Sequence, residues 1–196
     1  MVDTLRTMNR EAGLQGIDRF AQSPLTGGPS TAGAQDGEDA RVSDRTSHQE
    51  PGVSRTSDVS LVFAHTVTVS AVVSALAGAG WSLEEPLGLS YVVNHDDKFD
   101  WQATSVDRAD EILSLLDAPE NHVFDVAICV YHPGAETGGQ LLFLPGRSRC
   151  YFLPTIDRRS LPGAPGLTDI AWYLNALIPA LLPVGLLSYK ARDLAD

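Results

Sequence analysis

Large apolar residues are scarce before position 59 and frequent after it. The stretch SPLTGGPSTAGAQDGEDARVSDRTSHQEPGVSRTSD has neither a helical nor a strand period. Such a segment buries too little apolar surface to offset the entropy of ordering it. Residues 1–58 are therefore predicted to be a disordered tail, with at most a frayed helix over Asp3 to Phe20, and residues 59–196 a single domain. The tail is not expected to be a secretory leader, because no unbroken apolar run follows a basic start. Met1 and Met8 are the only methionines, which leaves a valine codon such as that of Val53 as an alternative start.

Inside the domain the period alternates between two and 3.6. Val59 to His65 reads as a buried strand. Thr66 or Thr68 can cap a helix running to Ala79, with Val69, Val72, Val73 and Leu76 on one face and Gly78 and Gly80 as stops. Leu89 to Asn94 alternates as a strand. Phe99, Trp101 and Ala103 share one side of a second strand, which makes His95 to Lys98 a hairpin tip. Thr104 or Ser105 caps the next helix, whose stripe is Val106, Ala109, Ile112, Leu113 and Leu116. Phe124 to Tyr131 has the nearly unbroken apolar run of a central strand. Gln140 to Leu144 and Cys150 to Pro154 flank a Pro-Gly turn, and TIDRRSLPGAPG is a long loop. Asp169 or Thr168 caps a last helix, Ile170 to Ile178, and a strand over Leu186 to Arg192 closes the domain.

The order β-α-β-β-α-β-β-β-α-β predicts an α+β fold, with a mixed or antiparallel sheet and helices packed on one face. Its first six elements match a ferredoxin-like split βαβ start. Ile170 to Tyr189 holds twenty residues without a charge, long enough for a membrane span and hence a C-terminal anchor. Pro179 and Pro183 break hydrogen bonds that lipid cannot replace, so a buried helix and strand is the expected form.

Charge changes this picture. The chain carries a net −11, and Glu84 to Asp125 alone holds eleven acids against Lys98 and Arg108. Such a field disfavours nucleic acid and anionic membrane and favours a basic partner. Asp96, Asp97 and Asp100 on the hairpin, with Asp107, Asp110 and Glu111 on the following helix, are the candidate binding residues; Trp101 lies close by as an aromatic anchor, but it shares a face with Phe99 and is expected in the core. The hairpin is not a calcium loop, lacking the turn glycine and the closing glutamate. Arg147, Arg149, Arg158 and Arg159 either pair with the protein's own acids or meet phosphate.

Catalytic signatures are missing. The sequence holds no GxSxG, Walker A, GxGxxG or HExxH pattern, and its two cysteines show no metal spacing. Cys129 and Cys150 are expected to be buried reduced thiols, in keeping with a cytoplasmic protein. An enzyme would have to use His132 or a cysteine in a constellation formed in space. Cys129 and His132 differ by an odd number along one strand and so point to opposite faces. Asp169, Trp172 and Tyr173 at the head of the last helix read as core and rim packing. No cofactor or metal site is predicted.

The string FDVAICVYHPGAETGGQLLFLPGRSRCYFLPTIDRR, followed by TDIAWYLNALIPALLPVG, resembles small actinobacterial α+β proteins, among them immunity proteins of polymorphic toxin systems. The resemblance spans about residues 59–194 as a layout and brings no functional residue with it. Together with the acidic segment and the missing catalytic motifs, it points to a non-catalytic module that neutralises a basic partner, such as a toxin, by occlusion.

Overall fold

The computed structural model describes residues 55–86, 88–96 and 98–195. In chain order, β1 (Arg55–Phe63) leads to α1 (Val69–Ala77), β2 (Leu89–Asn94), β3 (Gln102–Thr104) and α2 (Ala109–Leu116). There follow β4 (Asp125–His132), β5 (Thr137–Phe143), β6 (Arg149–Ile156), β7 (Ser160–Leu161), β8 (Ala164–Thr168), α3 (Ile170–Leu181) and β9 (Leu186–Ala195). Seven strands form one sheet in the order β3-β2-β4-β5-β6-β1-β9, with every pairing antiparallel.

Alternation along the strands gives the sheet two unlike faces. Val59, Leu61, Val126, Ile128, Leu141, Phe143 and Phe152 lie on one face, under the stripes of all three helices: Val72 and Leu76, Ile112 and Leu116, Tyr173 and Leu177. Val92, Ala127, Leu142 and Leu153 lie on the other, which no described helix covers. There Phe99, Trp101 and Tyr151 pack over them. This is the expected α+β architecture, with the helices on one face.

The wiring differs from the ferredoxin-like start. The element order β-α-β-β-α-β is present, but β1 pairs with β6 and β9 and not with the early strands. Its polar residues explain the choice. Ser57 donates to Asp193 Oδ1 (2.7 Å), and Asp58 accepts from Arg192 Nε (2.9 Å). These partners, more than a hundred residues away, also make strand of Arg55 to Asp58, which sequence assigned to the tail. The rest of that tail, residues 1–54, lies outside the described residues.

Local chemistry sets the helix ends. Thr68 Oγ1 accepts from Ala71 N (3.0 Å), as an N-cap does. The valine-rich α1 has no acid in its first turn. Asp117, at the end of α2, supplies one from outside, accepting from Val69 N (2.6 Å) and Ser70 N (3.0 Å). Ser105 caps a single 3-10 turn, Val106–Arg108, that runs into α2. Asp169 caps α3 through Trp172 N (3.1 Å). That helix continues past Ile178 to Leu181, with Pro179 inside it on the exposed side. The uncharged run Ile170 to Tyr189 is thus split into α3, a 3-10 turn at Leu182–Val184 and the start of β9. Among the described residues no helix is long and apolar enough to cross a membrane. The loop expected after β6 contains the β7–β8 hairpin.

Candidate functional site

The predicted acidic residues fall along one edge of the sheet. The β2–β3 tip, β3 itself, the 3-10 turn and the head of α2 follow one another there, since β3 is the outermost strand on that side. Asp96, Asp100, Asp107, Asp110 and Glu111 are all exposed. Asp97 lies outside the described residues. Lys98 Nζ bonds Asp96 Oδ2 (2.7 Å), which holds the Asp96 carboxyl below its ordinary range. The same lysine also feels the charge of Asp100. Arg108 grips Glu111 with two nitrogens, its Nε at 2.8 Å, and lowers that carboxyl as well. Asp107 accepts only from Ser105, so it and Asp110 have no cationic partner among the described residues. Exposed pairs of this kind contribute little stability, which leaves the acids available to another molecule.

The tip is built differently from the sequence reading. Phe99 and Trp101 precede β3 instead of forming it, and they fold onto the helix-free face over Val92, Ala127 and Leu142. Asn94 Oδ1 accepts from Phe99 N (3.2 Å), and Phe99 has φ 52°, unusual for an aromatic residue. Half-buried Trp101 is therefore a roof for that face and is not held out as an anchor beside the acids.

Arg147 and Arg159 are engaged away from this edge. Arg147 is fully buried, and its guanidinium donates to the carbonyls of Asn121 (2.7 Å), Leu116, Phe124 and Phe143 (3.3 Å each). Burial lowers its pKa, and the charges of Asp117 and Asp125 oppose that shift. It is a pin for the end of α2 and the turn after it, and no phosphate reaches it. Sequence gave no sign of this, because an arginine in a Pro-Gly turn ordinarily points to water. Arg159 bonds Asp169 Oδ2 (3.1 Å) and lies 5.3 Å over the Trp172 ring. Arg149 and Arg158 are exposed.

His132 stands on the helix-covered face, edge-on to Trp81 and Trp172, each 5.4 Å away. Its Nδ1 is buried without a hydrogen bond among the described residues. Asp169, Trp172 and Tyr173 belong to the same packing: the Tyr173 and Thr137 hydroxyls are hydrogen-bonded (2.7 Å), and Tyr173 Oη accepts from Arg159 N (3.0 Å). Cys129, two residues along β4 from Ala127, faces the opposite side, near the Glu85 carboxylate. Burial first, and then the Glu85 charge, push the Cys129 thiol well above its ordinary range. Burial does the same to Cys150, within the helix-side core. Both are free thiols on opposite faces, and a thiol held protonated is a poor nucleophile. Among the described residues no group of three His, Cys, Asp or Glu side chains is placed to hold a metal ion. Comparison with protein-family models, curated proteins and solved structures finds no match for this chain.

Proposed function

We propose that this chain is a non-catalytic protein-binding module that docks a basic partner along its β3 edge, as an immunity-type inhibitor does. The observation that carries the reading is the charge balance of that edge. Five described acids from Asp96 to Glu111 face two cations, and Asp107 and Asp110 have none. Arg147 and Arg159 are instead spent inside the fold and against Asp169. Complementary charge of this sort speeds encounter and rejects acidic competitors. The partner is a basic protein surface; nucleic acid is repelled by the same field.

The test is capture by the full chain from a lysate of its own organism, with bound proteins identified by mass. Reversal of Asp107, Asp110 and Glu111 to Lys should release the partner, as should raising salt from about 0.05 to 0.5 M, where screening is strong. Reversal of the exposed Glu120 and Glu136 should not. A partner held equally by both reversed proteins and at high salt refutes the proposal.

A further inference from the structure

The two edges of the sheet are managed differently. β3 is three residues long and flanked by charges, the ordinary protection of an edge against unwanted pairing. β9 is ten residues long and pairs only with β1 among the described residues. Leu187, Tyr189 and Leu194 on it are 70%, 51% and 54% exposed, and Leu182 in the turn before it is 58% exposed. Four of the eight exposed large apolar side chains among the described residues therefore sit on this one element and its approach. A long, apolar, one-sided strand is a template for another strand.

We propose that β9 is the contact of a symmetric dimer, in which two copies pair antiparallel about a two-fold axis at Tyr189 and form one fourteen-stranded sheet. Charge argues for a second copy as occupant. The domain is strongly acidic, but Asp107 and Asp110, the acids of the β3 edge without a cation, lie six strands away from β9. β9 itself carries Lys190, Arg192 and Asp193, with Arg192 taken by Asp58 and Asp193 by Ser57 and Thr168. Two copies joined here meet at their least acidic sides.

The register follows from alternation. A two-fold axis normal to the sheet keeps each face with its like, so only residues of the same face oppose one another. Tyr189, opposite Leu61 of β1, belongs to the helix side, and Ser188 and Lys190 to the other. An axis at Lys190 would set two ammonium groups side by side, and one at Ala191 would set Lys190 against Arg192. An axis at Tyr189 sets Ser188 against Lys190 of the second copy, with no like charges opposed, and puts Leu187, where the β1 pairing shifts register, beside that contact. Closed two-fold pairing also uses up the edge, so assembly stops at two.

This proposal stands independently of any partner at the β3 edge. Its test uses the full chain. Sedimentation velocity from about 1 to 100 μM should show twice the 21.0 kDa chain mass at the upper end. The double variant Leu187→Glu/Tyr189→Glu, folded by circular dichroism, should stay at the single mass. Ser188→Glu places a carboxylate opposite Lys190 twice and should tighten association about two- to thirtyfold. Oxidised Tyr189→Cys should form an intermolecular disulfide, while Leu194→Cys, far from the axis, should not; the native thiols are buried and give little background. A full chain that stays single at 100 μM overturns the proposal, whether residues 1–54 or nothing covers the edge. A dimer unaffected by the double variant, or one that cross-links equally at 189 and 194, overturns it too.

Discussion

Replacing Arg147 by Met tests how a buried guanidinium holds this fold together. Methionine keeps most of the stem's volume, so the change removes donors more than packing. Four carbonyls lose a charged donor, one at 2.7 Å and three at 3.3 Å. A hydrogen bond to a charged group contributes about 1.5–3 kcal/mol, with the long ones at or below the lower end. Against their sum stands the desolvation cost of the guanidinium, several kcal/mol, which the substitution recovers. The net expectation is a loss of about 3–5 kcal/mol, because a buried carbonyl left without its donor costs about 1–3 kcal/mol and not all four can find another. For a domain of this size that lowers the melting temperature by about 10–20 °C. Urea and thermal unfolding followed by circular dichroism measure both, with Arg149→Met, on an exposed neighbour, as the control expected within about 0.5 kcal/mol. An Arg147→Met protein within about 1 kcal/mol of the parent would show that the carbonyls find other donors, and the pin would be a misreading.

Gly139 lies where β5 passes β6 with no room, since a Cβ there would meet Leu153 O at 2.1 Å. Gly139→Ala should cost at least about 2 kcal/mol in urea unfolding, while Gly166→Ala, which meets nothing within 4 Å, should be near neutral. Burial raises the Glu85 pKa above its ordinary value, so the folded state binds its proton more tightly than the unfolded one. The sign is then fixed: this contribution is fully present below about pH 4.5 and is lost as pH rises through the raised value. Glu85→Gln should therefore stabilise the protein at pH 7 relative to the parent and lose that advantage near pH 4, as compared by urea midpoints at the two pH values. Cys129 and Cys150 should resist iodoacetamide in the native protein and react only at the urea concentrations that unfold it.

The elements with strong periods were legible from sequence. The stripe Val69, Val72, Val73, Leu76 made α1, and the uninterrupted run from Phe124 made the central β4, because burial of one or both faces fixes those patterns. The exposure of Asp96, Asp100, Asp107, Asp110 and Glu111 was legible because charges at a turn or off a helix's apolar stripe need no distant contact to be placed. What escaped notice depends on contacts remote in sequence. Ser57 and Asp58 look like tail until Asp193 and Arg192 arrive to satisfy them. Arg147 looks solvated until four carbonyls from three segments converge on it. Phe99 and Trp101 continue an alternation that the turn in fact breaks, through the left-handed backbone at Phe99.

The place of β1 has a kinetic consequence. It lies between β6 and β9, so it gains its first neighbour only when the chain reaches Arg149 and its second only at Leu186. Closing such wide loops is slow, because their entropy is spent before the pairing returns anything. The hairpins from β4 to β6 can form early on their own, whereas the strand that opens the domain waits for the one that closes it. During synthesis, Val59 and Leu61 stay without their final neighbours the longest, and that interval is when this chain has most need of a chaperone.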